Sequence, residues 1–183
     1  MNKLAQQGRT MIEMIGVLGI VGVLIVGGFS IVAKALKNQR YTQVMNDAAE
    51  IASYAKKMSC QYLDDGAYAD YGIFLYKSAK YPDSLEYDKS TGEYFGVMDV
   101  TYKVSAPNNG SSAFTVTIKH VPGDLCIRMV SDDWGSVSST GFHELSLNQN
   151  QRAVKMDLNE AVLKCTDYEN TIDLIYYGCR KGI

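Results

Sequence analysis

From Met14 to Ala33 the chain carries no charge, and its one hydroxyl is Ser30. A helix rises about 1.5 Å per residue, so a run of this length matches the ~30 Å hydrocarbon core of a bilayer. A helix apolar on every side is buried in lipid or among other helices. The apolar run continues upstream through Met11 and Ile12, which places Glu13 inside it. A carboxylate in lipid costs roughly 2.5–3.5 kcal/mol at mid-depth, so such residues tend to have partners. After Ala33 the pattern changes. Tyr41, Val44, Met45, Ala48, Ile51, Ala52, Ala55, Met58 and Tyr62 recur at spacings of three and four, with Asn38, Gln43, Asp47, Glu50 and Lys57 between them. This is the signature of an amphipathic helix. Neither proline nor glycine interrupts it before Gly66. The pattern predicts one long helix to about residue 63.

Alternation with a period of two appears next. Val100, Tyr102 and Val104 alternate with Thr101 and Lys103, and Phe114, Val116 and Ile118 alternate with Thr115 and Thr117. Pro107-Asn108-Asn109-Gly110 between them is a strong turn, so the pair reads as a hairpin with one greasy face. A short helix is expected near Tyr71 to Ala79 and another from Leu125 to Ser131. Phe142 to Leu147 and Thr171 to Tyr177 read as strands. Asp157-Leu158-Asn159-Glu160 is a capping-box pattern ahead of Ala161. The expected fold is α+β: a long N-terminal helix, membrane-spanning in its first half and amphipathic in its second, packed on a three- to four-stranded mostly antiparallel sheet.

Charge and cysteine usage narrow the function. The net charge is -2, with 18 basic and 20 acidic residues. No basic excess exists to neutralise phosphates, so direct nucleic-acid binding is not expected. The four cysteines, Cys60, Cys126, Cys165 and Cys179, all follow the apolar run. An even count on one side of a membrane fits an oxidising compartment and two disulfides. No C-x-x-C pair exists, and His120 and His143 lack zinc-ligand spacing, so no metal or other cofactor is expected. Neither a G-x-S-x-G elbow nor a phosphate-binding glycine loop occurs, and no enzymatic activity is expected. Asp64-Asp65 and Asp132-Asp133 read as solvated turns. The many tyrosines between residues 64 and 96 suit either an interface or the rim of a core.

The residues upstream of the apolar run carry a resemblance. Gly8-Arg9-Thr10-Met11-Ile12-Glu13 resembles the prepilin cleavage motif of type IV pilins and type II secretion pseudopilins. The resemblance implies cleavage after Gly8, N-methylation of the new terminus Arg9, and an assembly role for Glu13. The family usually has Phe, Met or Leu where this chain has Arg9. It further implies a leader over 1–8, a transmembrane and filament-core helix over 9–36, and a periplasmic or extracellular head over 37–183. Partners implied are copies of itself and other pilins, a prepilin peptidase and inner-membrane assembly machinery. The location implied is the inner membrane, single-pass with the head in the periplasm, and then an extracellular pilus.

The segment Val121-Pro122-Gly123-Asp124-Leu125-Cys126 resembles part of the type IVb pilins. There the helix cysteine bonds a cysteine that precedes a final strand. That resemblance implies Cys126–Cys165, leaving Cys60–Cys179, with Cys165–Cys179 as the alternative familiar from other pilins. The function expected is a structural subunit of a type IV pilus-like filament for adhesion, motility or DNA uptake. The rival readings are a type II secretion pseudopilin and a membrane-tethered binding domain that does not polymerise.

Overall fold

The computed structural model describes residues 3–62, 71–106, 113–134, 141–149 and 151–178, without the side chains of 3–10, 12, 24–28, 61–62 and 151. Two compact units divide the chain, residues 1–40 and 41–183. Helix α1, Lys3–Tyr62, is 60 residues long and belongs to both.

Two parts of the expected fold are corrected. Among the described residues no helix is long and apolar enough to cross a membrane. The side chains of 24–28 lie outside the described residues, and the stretches described on either side of them, 13–23 and 29–36, are each shorter than the roughly 20 apolar residues that a span needs. The sheet has seven strands, not three or four. These are β1 Glu86–Asp88, β2 Glu93–Phe95, β3 Thr101–Ser105, β4 Ala113–Val121, β5 Phe142–Leu147, β6 Gln151–Ala153 and β7 Asn170–Tyr177. Their order is β1-β2-β3-β4-β7-β5-β6, and every neighbouring pair is antiparallel. The added strands β1, β2 and β6 have three residues each, too short for alternation to show in sequence.

Local chemistry makes the short hairpins. Between β1 and β2, Asp88 Oδ1 accepts from the backbone N–H of Ser90 at 2.8 Å, and Gly92 takes a positive φ of 72°. The hydroxyls of Ser90 and Thr91 also donate to that carboxylate, and these bonds hold Asp88 below its ordinary value. Between β5 and β6, Asn148 and Gln149 both adopt positive φ, the left-handed geometry that suits the twist of a tight hairpin. The turn expected at Pro107 to Gly110 lies outside the described residues.

The inner face of the sheet is formed by Tyr94, Tyr102, Val104, Phe114, Val116, Ile118, Leu145, Leu147, Ile172, Leu174 and Tyr176, all buried. They share one core with Tyr41, Val44, Ala48, Ile51, Ala52, Ala55 and Met58 of α1. Ala48, Ala52 and Ala55 are spaced four and three apart and are wholly buried, so the small side chains let the sheet approach the helix closely. Polar bonds fix the register of this packing. The Tyr102 hydroxyl donates to the Val44 carbonyl at 3.3 Å. The Tyr94 hydroxyl donates to the Gly72 carbonyl of α2, Tyr71–Lys77, at 2.7 Å. Tyr94 and Tyr102 thus satisfy their polar ends while their rings fill the core.

Helices α3, Gly123–Ser131, and α4, Leu158–Lys164, complete the head. Asp157 caps α4, its side chain accepting from Asn159 N at 3.3 Å. A disulfide joins Cys126 of α3 to Cys165 just after α4, with Cα atoms 5.9 Å apart and a sequence separation of 39. That bond excludes the alternative Cys165–Cys179 pairing. Cys60 is also disulfide-bonded. Its expected partner, Cys179, lies outside the described residues.

Candidate assembly surface

The residues singled out by the sequence fall into two groups, taken here in chain order. Gly8 and Arg9 belong to the second turn of α1, and Glu13 lies one helical turn beyond Arg9. The Glu13 side chain is exposed. Around it the exposed side chains of α1 are apolar: Met11, Met14, Ile15, Val17, Leu18, Ile20, Val21 and Val23, followed by Phe29, Ile31, Val32 and Leu36. Met11 and Phe29 are each 71% exposed. Leaving such a side chain in water forgoes roughly 1.5–3 kcal/mol relative to burying it. Scattered exposed apolar residues are ordinary, but a series of this extent marks an interaction surface.

Gly16, Gly19 and Gly22 are not needed for packing against the other described residues. A Cβ added at Gly16, Gly19 or Gly22 would meet nothing within 4 Å. With Ile15, Ile20 and Val23, Gly16 and Gly19 line a shallow apolar groove. Absent side chains at two successive helical positions on one face are what allow another helix to come close.

The head places the other candidates apart from one another. The His143 Nε2 lies 3.1 Å from the Tyr177 hydroxyl at the sheet surface. His120 sits at the irregularity of β4 with a positive φ of 59°, its Nδ1 3.9 Å from Glu169 Oε1. Among the described residues no three His, Cys, Asp or Glu side chains converge as metal ligands. Asp132 and Asp133 form an exposed turn in which the Asp132 carboxylate accepts from Asp133 N at 2.9 Å. Asp64 and Asp65 lie outside the described residues. Trp134 is a packing anchor: it is buried, and its indole N–H donates to the Met129 carbonyl at 2.7 Å.

Tyr76, Tyr81, Tyr87 and Tyr94 form a closed ring. Tyr76 stacks on Tyr87 with centroids 4.6 Å apart, Tyr87 meets Tyr94 at 4.8 Å, Tyr94 meets Tyr81 at 5.3 Å, and Tyr81 returns to Tyr76 at 6.1 Å. The Lys89 ammonium lies 5.3 Å from the Tyr76 centroid, a cation–π contact that covers the ring from outside. This cluster stitches α2 to the β1–β2 hairpin and so belongs to the core.

One surface went unread in the sequence. On α4, Leu158, Val162 and Leu163 are all exposed although the helix is short and clamped by its cap and by Cys165. The capping box at Asp157 marked where the helix begins, but not which of its faces would be left in solvent.

Comparison with protein-family models, with curated proteins and with solved structures gives no match.

Proposed function

We propose that this chain is a structural, non-enzymatic subunit of a type IV pilin-like filament, cut after Gly8 by a prepilin peptidase and polymerised through the apolar surface of α1. The observation that carries the reading is the setting of Glu13. Among the described residues it is the single carboxylate within the exposed apolar side chains from Met11 to Val23, one helical turn beyond the Arg9 that cleavage would make the first residue. Cleavage releases an α-amine with an ordinary pKa of about 7.7–8.0, mostly protonated at neutral pH. When copies stack side by side, the amine of one subunit pairs with Glu13 of the next. Each charge then relieves the desolvation of the other in the apolar interior. The contact is head-to-tail and does not close on itself, as an open polymer requires.

Further support comes from the cysteines. Cys126–Cys165 and the bonded Cys60 fit a head that matures in an oxidising compartment, outside the cytoplasm. The filament is then extracellular, and its partners are copies of this chain and related subunits. N-terminal sequencing and intact mass of the mature protein test the proposal. The expected first residue is Arg9, with or without a methyl group on its amine. A purified chain that still begins at Met1 sinks the reading.

A further inference from the structure

We propose that Asp47 and Ser84 form a proton-operated latch, which holds the segment 78–85 on α1 while the carboxyl is protonated and releases it when the carboxyl ionises. The latch lies wholly in the head and operates whether or not the chain polymerises.

Its core is a carboxyl without a counter-charge. Asp47 is 4% exposed and stands on the side of α1 that also carries Val44 and Ile51, both wholly buried. Oδ1 accepts from the Ser84 hydroxyl at 2.6 Å. Oδ2 is buried and has no hydrogen-bond partner among the described residues. An ionised carboxylate has lone pairs on both oxygens to satisfy, and a buried charge left unpaired is among the costliest groups in a fold. The neutral acid avoids that cost.

The groups that face Asp47 do not compensate a charge. Glu50, on the same helix, is of like sign and is the one charge that acts on the carboxyl. Tyr102 of β3 gives its hydroxyl proton to the Val44 carbonyl at 3.3 Å and is kept protonated by its own burial. Asp83, beside Ser84, is an acid and acts on Tyr54 of α1. Burial, opposed by the Ser84 bond and aided by Glu50, leaves the carboxyl above its ordinary value.

The part of the chain that gives way is the segment 78–85, which links α2 to β1. Its backbone bonds are local. The Lys80 amide donates to the Leu75 carbonyl at 3.0 Å, and the Leu85 amide donates to the Pro82 carbonyl at 3.1 Å. Neither bond reaches α1, whereas the Ser84 hydroxyl does. A turn held in this way opens without disturbing the sheet, because local openings cost less than global unfolding. Opening brings water to both oxygens of Asp47.

The direction follows from the two protonation equilibria. Released, the carboxyl titrates near its ordinary 3.8; latched, it titrates higher. The latched state therefore binds more protons between the two values. The latch is tightest below 3.8, opens about tenfold more readily per pH unit up to the latched value, and is level above it.

Hydrogen exchange of the full chain in detergent, read by mass spectrometry from about pH 4 to about pH 8 and corrected for the intrinsic rate at each pH, tests the latch. In wild type, peptides covering 78–85 are expected to lose about tenfold or more of their protection as pH rises, while peptides from β4 and β7 keep theirs. D47N removes the titrating group and is expected to hold protection of 78–85 constant. D47L, similar in size and apolar like Val44 and Ile51, makes the same measurement should D47N fail to fold. Wild-type protection of 78–85 that does not change with pH overturns the proposal. So does a loss shared by β4 and β7, or one that persists undiminished in the neutral variant.

Discussion

The Ser84 hydroxyl donates to Oδ1 of Asp47 at 2.6 Å, while Oδ2 of the same buried carboxylate has no hydrogen-bond partner among the described residues. The pair ties α1 to the loop before β1 across 37 residues of sequence. It is an incomplete bond set for an ionised group, which can accept four hydrogen bonds. Burial pushes the Asp47 carboxyl above its ordinary value, the Ser84 bond opposes that shift, and the charge of Glu50 adds to it. The neighbouring Tyr102 hydroxyl, driven upward by its own burial and by the charge of Asp47, stays protonated.

The sign of the pH effect follows. A carboxyl whose folded value is raised binds more protons folded than unfolded between the two values, so it favours folding as pH falls. Its contribution is fully present below the unfolded value of 3.8 and is lost as pH rises through the folded value. In the variant D47N the neutral amide removes this dependence while still accepting from Ser84. Thermal unfolding of both proteins from about pH 7 to about pH 4 is the measurement. The stability difference between wild type and D47N is expected to shift in favour of wild type as pH falls. A difference that does not change with pH contradicts the assignment.

The α3–α4 clamp makes a second prediction. Gly123 opens α3 where a Cβ would stand 2.6 Å from the Thr166 carbonyl oxygen, so the helix start and the segment after Cys165 touch through backbone alone. The disulfide closes a loop with a sequence separation of 39, and the chain-entropy relation gives it about 4 kcal/mol of stabilisation. C126S/C165S is expected to lower the denaturant midpoint accordingly. G123A, with the bond intact, is expected to cost about 1–3 kcal/mol as the two backbones are forced apart. Urea titration monitored by Trp134 fluorescence reads both, because the indole is anchored to the Met129 carbonyl at the end of α3.

Asn170 carries the third. This fully buried side chain donates to the Val121 and Thr166 carbonyls at 3.1 and 2.8 Å. Its oxygen accepts from Thr166 N, from the Thr166 hydroxyl and from Asn148 Nδ2 at 2.8, 3.1 and 3.3 Å. It therefore joins β4, the Cys165 segment and the β5–β6 turn at the start of β7. N170A strands several buried partners at about 1–3 kcal/mol each for those that water cannot reach. N170D costs more than its shape suggests, because the carboxylate cannot donate to the two carbonyls. Hydrogen exchange is expected to rise first at Thr166 and Thr171, whose amides bond within this network.

The parts of this fold that sequence made legible are those whose burial repeats. Val44, Ala48, Ile51, Ala52, Ala55 and Met58 announce a helix face through their spacing, and the alternation of Phe114, Val116 and Ile118 announces a strand. The strands β1, β2 and β6 were missed because three residues put at most two side chains on one face, too few for an alternation to register, and their pairing is set by turns such as that at Asp88. The membrane-spanning half is corrected, because among the described residues no helix is long and apolar enough to cross a membrane. In the head, the resemblance supplied the Cys126–Cys165 pairing, which spacing alone left open. The exposed apolar side chains of α4 were hidden for the opposite reason. Leu158, Val162 and Leu163 look like core residues in any sequence, and only their orientation about Ala161 reveals that they face outward.

Glu13 provides the sharpest test of the assembly surface. If its charge pairs with a released amine in the apolar interior of the filament, E13Q and E13A remove that charge while leaving the head untouched. Removing one partner of a buried pair strands the other and is strongly destabilising, by about 3–5 kcal/mol. Either variant is therefore expected to be cut after Gly8 and to reach the same steady-state level, yet to form few filaments. E13D keeps the charge on a shorter side chain and is expected to retain part of the assembly. The readouts are filament yield by electron microscopy and the mass of the processed N-terminus. E13A filaments as abundant as those of wild type would remove the carboxylate from assembly and leave the exposed apolar series of α1 to drive it alone. A G8W variant separates cleavage from pairing, because an uncut leader keeps the amine from ever appearing, and it is expected to accumulate as an unassembled chain beginning at Met1.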